Sequence, residues 1–290
     1  MSMFVATQSR LWLRLGSETA IARLLKALEH PNKDVRRKAA EALGNIGTET
    51  AIPGLLKALE HPNEYVRRNA AEALGNIGTE TAIPELLKAL EDSNKYVREK
   101  AVEALGKIGS ETAIPGLLKA LEDSYEDVRG NAAEALGNIG SETAIAGLLK
   151  ALAIAGLLKA LEDSDKDVRE KAVEALGKIG SETAIPGLLK ALEHSNKDVR
   201  RNAAEALAKI GTETAIAELL KALEHSDEGV RMYAVAALAM IGSETAIAGL
   251  LKALEDSDNN VRWKAVEALG NIGTETAIAV LLKALELRRL

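Results

Sequence analysis

The phrase Gly-Ser/Thr-Glu-Thr-Ala-Ile recurs along the chain at a nearly constant spacing. Successive copies begin 31 residues apart, except that Gly140 and Gly180 are 40 residues apart. A period of this length is typical of arrays in which each unit buries its apolar face only by stacking on its neighbours. The sequence therefore predicts a stack of small units rather than one globular core. The copies begin at Gly16, Gly47, Gly78, Gly109, Gly140, Gly180, Gly211, Gly242 and Gly273.

The unit at residues 47–77 predicts a pair of helices, which we call helix A and helix B. The A stripe repeats at i, i+3, i+4 and i+7, as an amphipathic helix requires. Asn63 is suited to cap helix B, and Gly78 is suited to end it in a left-handed conformation. Each unit is therefore predicted to be a helical hairpin. The stripes are Ile52, Leu55, Leu56 and Leu59 in helix A, and Val66, Ala70, Ala73, Leu74 and Ile77 in helix B.

The 40-residue interval arises because nine residues, AIAGLLKAL, occur twice in succession at 144–152 and 153–161. Nine residues turn an α-helix about 180° beyond two full turns. In one continuous helix the two copies therefore place their apolar stripes on opposite faces. We expect a continuous helix over 144–162; a break near Leu152–Ala153 and a contact with a second chain are the alternatives.

These observations predict an all-α fold, an α-solenoid of about eight full 31-residue hairpins with partial ends. The predicted parts are a partial N-terminal helix at 1–15, a first repeat block at 16–143, an elongated junction helix at 144–162 and a second block at 163–290. If the junction helix is continuous, we expect two rigid blocks joined by it.

Helix B carries a family resemblance in VRRKAAEALGNIG (Val35–Gly47) and VREKAVEALGKIG (Val97–Gly109), together with helix A segments such as AIPGLLKALED. The chain resembles HEAT-like repeats of the phycobilisome-lyase type and is similar to consensus-designed HEAT-like (alpha-Rep) scaffolds, over about residues 16–285. The resemblance implies that helix B lines a concave face and carries the binding surface. It also implies an alternative function, a phycobilin lyase or chaperone-like subunit for a bilin or light-harvesting protein, with no catalytic residue that transfers to this chain.

Composition restricts the possible chemistry. The chain has no cysteine, which excludes disulfides, thiolate catalysis and Cys-based metal sites. Its net charge of −6 argues against a general affinity for nucleic acid or anionic lipid. No apolar run reaches the length of a membrane span, and no signal peptide is recognisable. We expect a cytoplasmic protein without a cofactor.

No pattern of catalytic residues emerges. The four histidines, which occupy one position in the loop between helices A and B, are expected to act as loop caps rather than metal ligands. HEAT-like hydroxylases bind iron through His-Glu pairs, but the corresponding helix B positions here hold pairs such as Arg37-Lys38 and Glu99-Lys100. We therefore predict no catalytic, metal or cofactor site and no enzyme activity. The histidines are His30, His61, His194 and His225.

One arginine per helix B never changes between repeats. A basic stripe for phosphates is one interpretation. A ladder in which each arginine bonds to a neighbouring unit is the favoured one, because guanidinium suits multidentate local bonding. The column comprises Arg36, Arg67, Arg98, Arg129, Arg169, Arg200, Arg231 and Arg262.

Variable helix B positions, which lie off the apolar stripe, are expected to face solvent and to bind a protein partner. Drift on a solvated face, or packing against a terminal segment or crystal neighbour, would produce similar variation. One such column comprises Lys38, Asn69, Lys100, Asn131, Lys171, Asn202, Tyr233 and Lys264. Exposed aromatic and Met side chains are typical of interface hot spots. The predicted protein-binding residues are Tyr65, Tyr96, Met232, Tyr233, Met240 and Trp263.

Surplus apolar stripes predict self-association, with a dimer favoured and a self-assembling structural array as an alternative. One stripe comes from the duplicated segment and the other from the last helix A, which no helix B follows. The predicted residues are Leu148, Leu149, Leu152, Leu157, Leu158, Leu161, Leu281, Leu282 and Leu285.

Overall fold

The computed structural model describes residues 18–47, 49–140 and 147–286, and these are α-helical with no strand. Odd-numbered helices are A helices and even-numbered helices are B helices. The A helices are α1 (18–27), α3 (Ile52–Ala58), α5 (Ile83–Ala89), α7 (Ile114–Ala120), α9 (Gly147–Ala160), α11 (Ile185–Leu192), α13 (Glu213–Ala222), α15 (Glu244–Ala253) and α17 (Glu275–Glu286). The B helices are α2 (Lys33–Ile46), α4 (Glu64–Ile77), α6 (Lys95–Ile108), α8 (Glu126–Gly140), α10 (Lys166–Ile179), α12 (Lys197–Ile210), α14 (Glu228–Ile241) and α16 (Asn259–Ile272).

Helix B begins and ends as predicted. The Asn63 side chain accepts a hydrogen bond from the Tyr65 backbone N–H at 2.8 Å, which satisfies one of the free donors at the start of α4. Gly78 ends the helix at φ 74°, and its N–H donates to the Leu74 carbonyl at 3.1 Å. A residue with a Cβ would be strained at that φ. Local sequence therefore sets the length of each B helix.

Proline decides where helix A starts. Where Pro186 is present, residues Glu182–Ala184 form a 3₁₀ turn and α11 begins at Ile185. Proline has no N–H to donate to the carbonyl four residues earlier, which here belongs to Glu182. Ala217 stands at the equivalent position in α13, and that helix begins earlier, at Glu213.

The core consists of the predicted stripes, packed in two compact units divided between Ala135 and Leu136. In unit 1, Leu55 and Leu74 are fully buried, and adjacent B helices pack directly on each other. In unit 2, Leu188 and Leu207 occupy the equivalent core positions. The predicted partial helix at 1–15 lies outside the described residues.

The duplicated segment is helical across the point where its copies meet. Helix α9 runs through Leu152–Ala153 without interruption, although residues 141–146, and with them the predicted helix start, lie outside the described residues. Leu152 in the first copy is 44% exposed, whereas Leu161 in the second copy is fully buried. Because a nine-residue shift rotates a helix by about half a turn, the two leucines face opposite sides.

Candidate protein-interaction surface

An apolar patch lies on helices α14 and α16 in unit 2. We define it as Met232, Tyr233, Ala236, Met240 and Trp263. Trp263 is 77% exposed and Met240 is 57% exposed, whereas the side chains of Met232 and Tyr233 are half-buried. Large apolar side chains left this open on a charged surface are unusual unless they bind something.

The patch interrupts a charged pattern. At the position of Ala236, the two neighbouring B helices carry Glu205 and Glu267, and at the position of Met240 they carry Lys209 and Asn271. The Lys209 ammonium lies 3.7 Å from the Glu205 carboxylate, and Lys264 donates to Glu267 at 2.8 Å. These ion pairs place a polar rim beside the apolar residues, an arrangement typical of protein interfaces.

Tyr233 belongs to a column that is less exposed than predicted. Asn202 and Asn69 stand in the same column and are only 2% and 8% exposed, so the expectation that this whole column faces solvent is wrong. The cause is the direct contact between adjacent B helices. The Tyr233 ring itself lies 5.4 Å from the Arg200 guanidinium carbon and is half-buried, so it is less accessible than Trp263.

Tyrosines also mark the start of the B helices in unit 1. Tyr65 and Tyr96 occupy equivalent positions in α4 and α6 and are 48% and 47% exposed. Sequence reasoning missed a third, Tyr125, which precedes α8 and is 40% exposed. Its position in the repeat was the available signal, because the other repeats carry a capping Asn or Asp immediately before helix B, where this repeat carries Tyr125. These rings contact basic side chains, described below.

Among the invariant arginines, Arg67, Arg98 and Arg231 bond to the next repeat in the predicted way. Arg67 donates from Nε and Nη2 to the Asp92 carboxylate at 2.6 and 2.9 Å, and from Nη1 to the His61 carbonyl of its own loop at 2.8 Å. Arg98–Asp123 and Arg231–Asp256 repeat this geometry. Burial alone raises the pKa of Asp92, but hydrogen bonds from Arg67 and the Asn94 backbone outweigh it and hold that pKa below its ordinary value. These arginines are therefore engaged within the array rather than forming an open phosphate track.

The histidines act as the predicted caps. The His61 Nδ1 accepts a hydrogen bond from the Asn63 backbone N–H at 3.0 Å, and the other three histidines do the same in their own loops. Asp92 fills the same role in its repeat. The part of the chain that the structure describes contains no group of three or more His, Asp or Glu side chains placed to hold a metal ion. Nor does any described helix combine the length and apolar character needed to span a membrane.

The predicted self-association residues divide into exposed and buried ones. Leu152 and Leu282 are exposed, and Leu149, Leu158 and Leu281 are half-buried. The side chains of Leu148 and Leu285 lie outside the described residues. Leu157 and Leu161 are fully buried in the core of unit 2, which corrects their assignment to a contact between chains.

Comparison with known proteins decides the family. HEAT repeats match residues 21–93, 52–132, 83–153, 154–231 and 216–288. The chain belongs to the HEAT-repeat family. Importin beta is similar over 86% of this chain and 40% of its own, with 18% identity and a TM-score of 0.57, and shares the α-solenoid fold. The predicted all-α solenoid is thereby confirmed, whereas the phycobilisome-lyase type stays a prediction.

Engineered and designed proteins are also similar. One engineered protein is 28% identical over 91% of this chain and 82% of its own, with a TM-score of 0.47. A designed armadillo repeat protein, solved in complex with peptide (KR)4, is 26% identical over 65% of this HEAT-repeat chain and 98% of its own, with a TM-score of 0.48. No curated protein matches the sequence.

Proposed function

We propose that this HEAT-repeat chain is a non-enzymatic scaffold that binds a protein partner on its B-helix face, with the apolar patch as the main contact. The observation that carries the proposal is the exposure of Trp263, 77%, and of Met240, 57%, on adjacent B helices whose neighbouring positions carry the ion pairs Lys209–Glu205 and Lys264–Glu267. Trp is among the residues most enriched at binding hot spots. A patch bordered by charged residues favours a specific partner over general adhesion.

The chemistry of the titratable groups supports a binding role. The described groups with shifted pKa values are all members of ion pairs, such as Asp92 with Arg67 and Glu91 with Lys119. Such shifts are typical of structural pairing, whereas a general acid or base needs a group tuned toward its operating pH. Nothing in the described residues favours the bilin alternative over the scaffold.

Replacing Trp263 with Ala should weaken partner binding by about 2 kcal/mol, or roughly 30-fold, if Trp263 is an anchor. The melting temperature should stay within about 2 °C of the parent, because a side chain this exposed contributes little to the core. Proteins retained from the source cell are first identified by quantitative mass spectrometry, and their Kd values are then measured by calorimetry.

Glu170→Ala is the matched control, because Glu170 occupies the position of Trp263 in an earlier B helix. A partner that loses affinity for Trp263→Ala and retains it for Glu170→Ala supports the proposal. Equal affinity for both variants, or early melting of Trp263→Ala, would falsify the assignment of Trp263 as an anchor.

The exposed leucines support a second proposed contact, between copies of this chain. Leu152 on α9 is 44% exposed and Leu282 on α17 is 56% exposed. Burying one such side chain in an interface contributes about 2 kcal/mol. We propose a dimer that uses the Leu152 face, without contribution from the buried Leu157 and Leu161.

Leu152→Glu should weaken that dimer at least about tenfold, since a charge placed in an apolar contact is costly. Deleting 153–161 should have the same effect, because the first copy of AIAGLLKAL then takes the buried place of the second. Sedimentation equilibrium measures the mass across concentration. Ala248→Glu, at the equivalent exposed position of α15, controls for the added charge away from the Leu152 face. A parent chain that stays monomeric at high concentration contradicts the dimer.

A further inference from the structure

A second surface with different chemistry lies in unit 1, where the B helices begin. We call it the tyrosine edge and define it as Tyr65, Tyr96, Tyr125, Arg68 and Lys95. The three rings are 48%, 47% and 40% exposed, and Tyr65 and Tyr96 recur at the same position in successive repeats. Because Tyr65 and Tyr96 are one repeat apart, the edge runs from one B helix to the next within unit 1.

Cations lie against these rings. The Lys95 ammonium is 5.1 Å from the centroid of the Tyr96 ring and 4.6 Å from that of Tyr125, so it contacts both. The Arg68 guanidinium carbon is 5.6 Å from the Tyr96 centroid. Contacts at these distances orient long, flexible basic side chains. The edge therefore presents positive charge at defined positions beside aromatic surface.

The charge of Arg68 and Lys95 is not neutralised by a carboxylate, unlike that of their neighbours. Arg67 and Arg98 are held bidentately by Asp92 and Asp123. Within residues 18–47, 49–140 and 147–286, by contrast, neither Arg68 nor Lys95 forms an ion pair. This uncompensated basic edge stands out in a chain whose net charge is −6.

We infer that the tyrosine edge binds an extended acidic peptide segment of a protein partner. Carboxylates of the segment pair with Arg68 and Lys95, and its aliphatic groups pack on the tyrosine rings. Neighbouring packed helices lie roughly 8–10 Å apart. An extended peptide advances about 3.3 Å per residue. One repeat therefore matches about three residues, and because Arg68 and Lys95 come from successive repeats, the preferred segment carries two acidic residues three positions apart.

Charge distribution favours a peptide over a nucleic acid. Two carboxylates flank the edge in sequence: Glu64, next to Tyr65, and Glu99, whose carboxylate is 4.0 Å from the Lys100 ammonium. A nucleic acid carries a negative phosphate at every nucleotide, so its backbone would be repelled by these carboxylates. A peptide can place uncharged residues opposite them. The edge shares no residue with the apolar patch, so this inference does not depend on the role proposed for Trp263.

The test uses a fluorescein-labelled peptide of four Glu-Leu-Ser triplets and measures anisotropy with the full chain at about 25 and 250 mM NaCl. Two further probes are the same peptide with Lys in place of Glu and a single-stranded oligothymidylate of equal length. We expect the acidic peptide to bind most tightly and to weaken with salt. No binding at low salt, or tighter binding of the basic peptide or the oligonucleotide, overturns the inference.

Variants locate the binding. The pair Arg68→Glu and Lys95→Glu should weaken the acidic peptide at least about 30-fold, and Tyr96→Ala about tenfold. The matched pair is Arg201→Glu and Lys197→Glu, which occupies the same two columns in unit 2, where Asp198 replaces the tyrosine. It should change affinity less than about threefold.

Circular dichroism confirms that each variant folds, and Arg68→Gln with Lys95→Gln replaces the charge-reversed pair if that pair does not. Equal losses in the matched pair would show general charge attraction and overturn the tyrosine edge. Trp263→Ala should leave the peptide affinity unchanged, which separates this result from the outcome for the apolar patch.

Discussion

Gly75→Leu should destabilise unit 1 by about 3 kcal/mol, because adjacent B helices have no room for a side chain at this position. A Cβ on Gly75 would lie 2.6 Å from the Ala104 Cα and 2.8 Å from its Cβ. The first of these atoms is backbone, so α4 and α6 would have to separate. Because stability in a stack depends on contacts between neighbours, the loss should appear as an earlier thermal or urea transition in circular dichroism.

Gly270→Leu is the control for the intrinsic effect of replacing a helical glycine. Gly270 occupies the equivalent position in α16, and a Cβ there would meet nothing within 4 Å. Its replacement should therefore be neutral or stabilising by up to about 1 kcal/mol. Ala208 and Ala239 stand at the same position in α12 and α14, so Gly75→Ala should cost less than Gly75→Leu. Similar losses at positions 75 and 270 would refute the close-packing explanation.

The hairpin itself was predictable because its signals are local. Asn63 and Gly78 fix the ends of α4 through short-range hydrogen bonds and an allowed φ value, whatever the rest of the array does. The 3.6-residue period of the apolar stripe then decides which face turns inward. The arginine pairing was also predictable where the next repeat supplies an aspartate, as in Arg67–Asp92, since a guanidinium kept in every repeat suits a carboxylate there.

The depth of burial was not predictable, because it depends on the distance between helices. Asn202 lies off the apolar stripe and yet is 2% exposed. Close contacts between B helices, such as that at Gly75, bring flanking columns into the interface. Tyr125 lies outside the column of Tyr65 and Tyr96, at a helix cap where the repeat pattern favours Asn or Asp and does not indicate an exposed ring. The burial of Asn202 depends on the spacing between units, which the pattern within one unit does not encode.

The invariant arginines meet two kinds of junction in the described chain. Where the next repeat supplies an aspartate, as in Arg67–Asp92, the guanidinium is paired at both Nε and Nη2. Where the next repeat supplies a histidine, the arginine Nε is buried without a hydrogen-bond acceptor. An unsatisfied buried donor costs about 1–3 kcal/mol. The junctions of the second kind are Arg36 with His61, Arg169 with His194, and Arg200 with His225.

Introducing an aspartate at a histidine junction and removing one at an aspartate junction should therefore change the free energy of unfolding in opposite directions. His61→Asp should stabilise unit 1 by about 1 kcal/mol, because the carboxylate would accept from the free Nε of Arg36 and still cap the Asn63 N–H. Asp92→Ala should destabilise by about 3 kcal/mol, since Arg67 would keep a largely buried charge without its partner. Urea denaturation at pH 7 measures both free energies of unfolding.

At low pH, these differences in the free energy of unfolding between the variants and the parent should disappear. The pKa of Asp92 is lowered in the folded chain, because hydrogen bonds from Arg67 and the Asn94 backbone outweigh its burial. Its stabilising contribution is therefore complete above the ordinary carboxyl pKa of about 3.9 and disappears as the pH falls through the folded value. The gain from His61→Asp should follow the same course. His30→Asp is the control, since it keeps the cap on the Asn32 N–H, while Val5 stands where the preceding arginine would be. If His30→Asp stabilises as much as His61→Asp, capping rather than pairing with Arg36 is the cause.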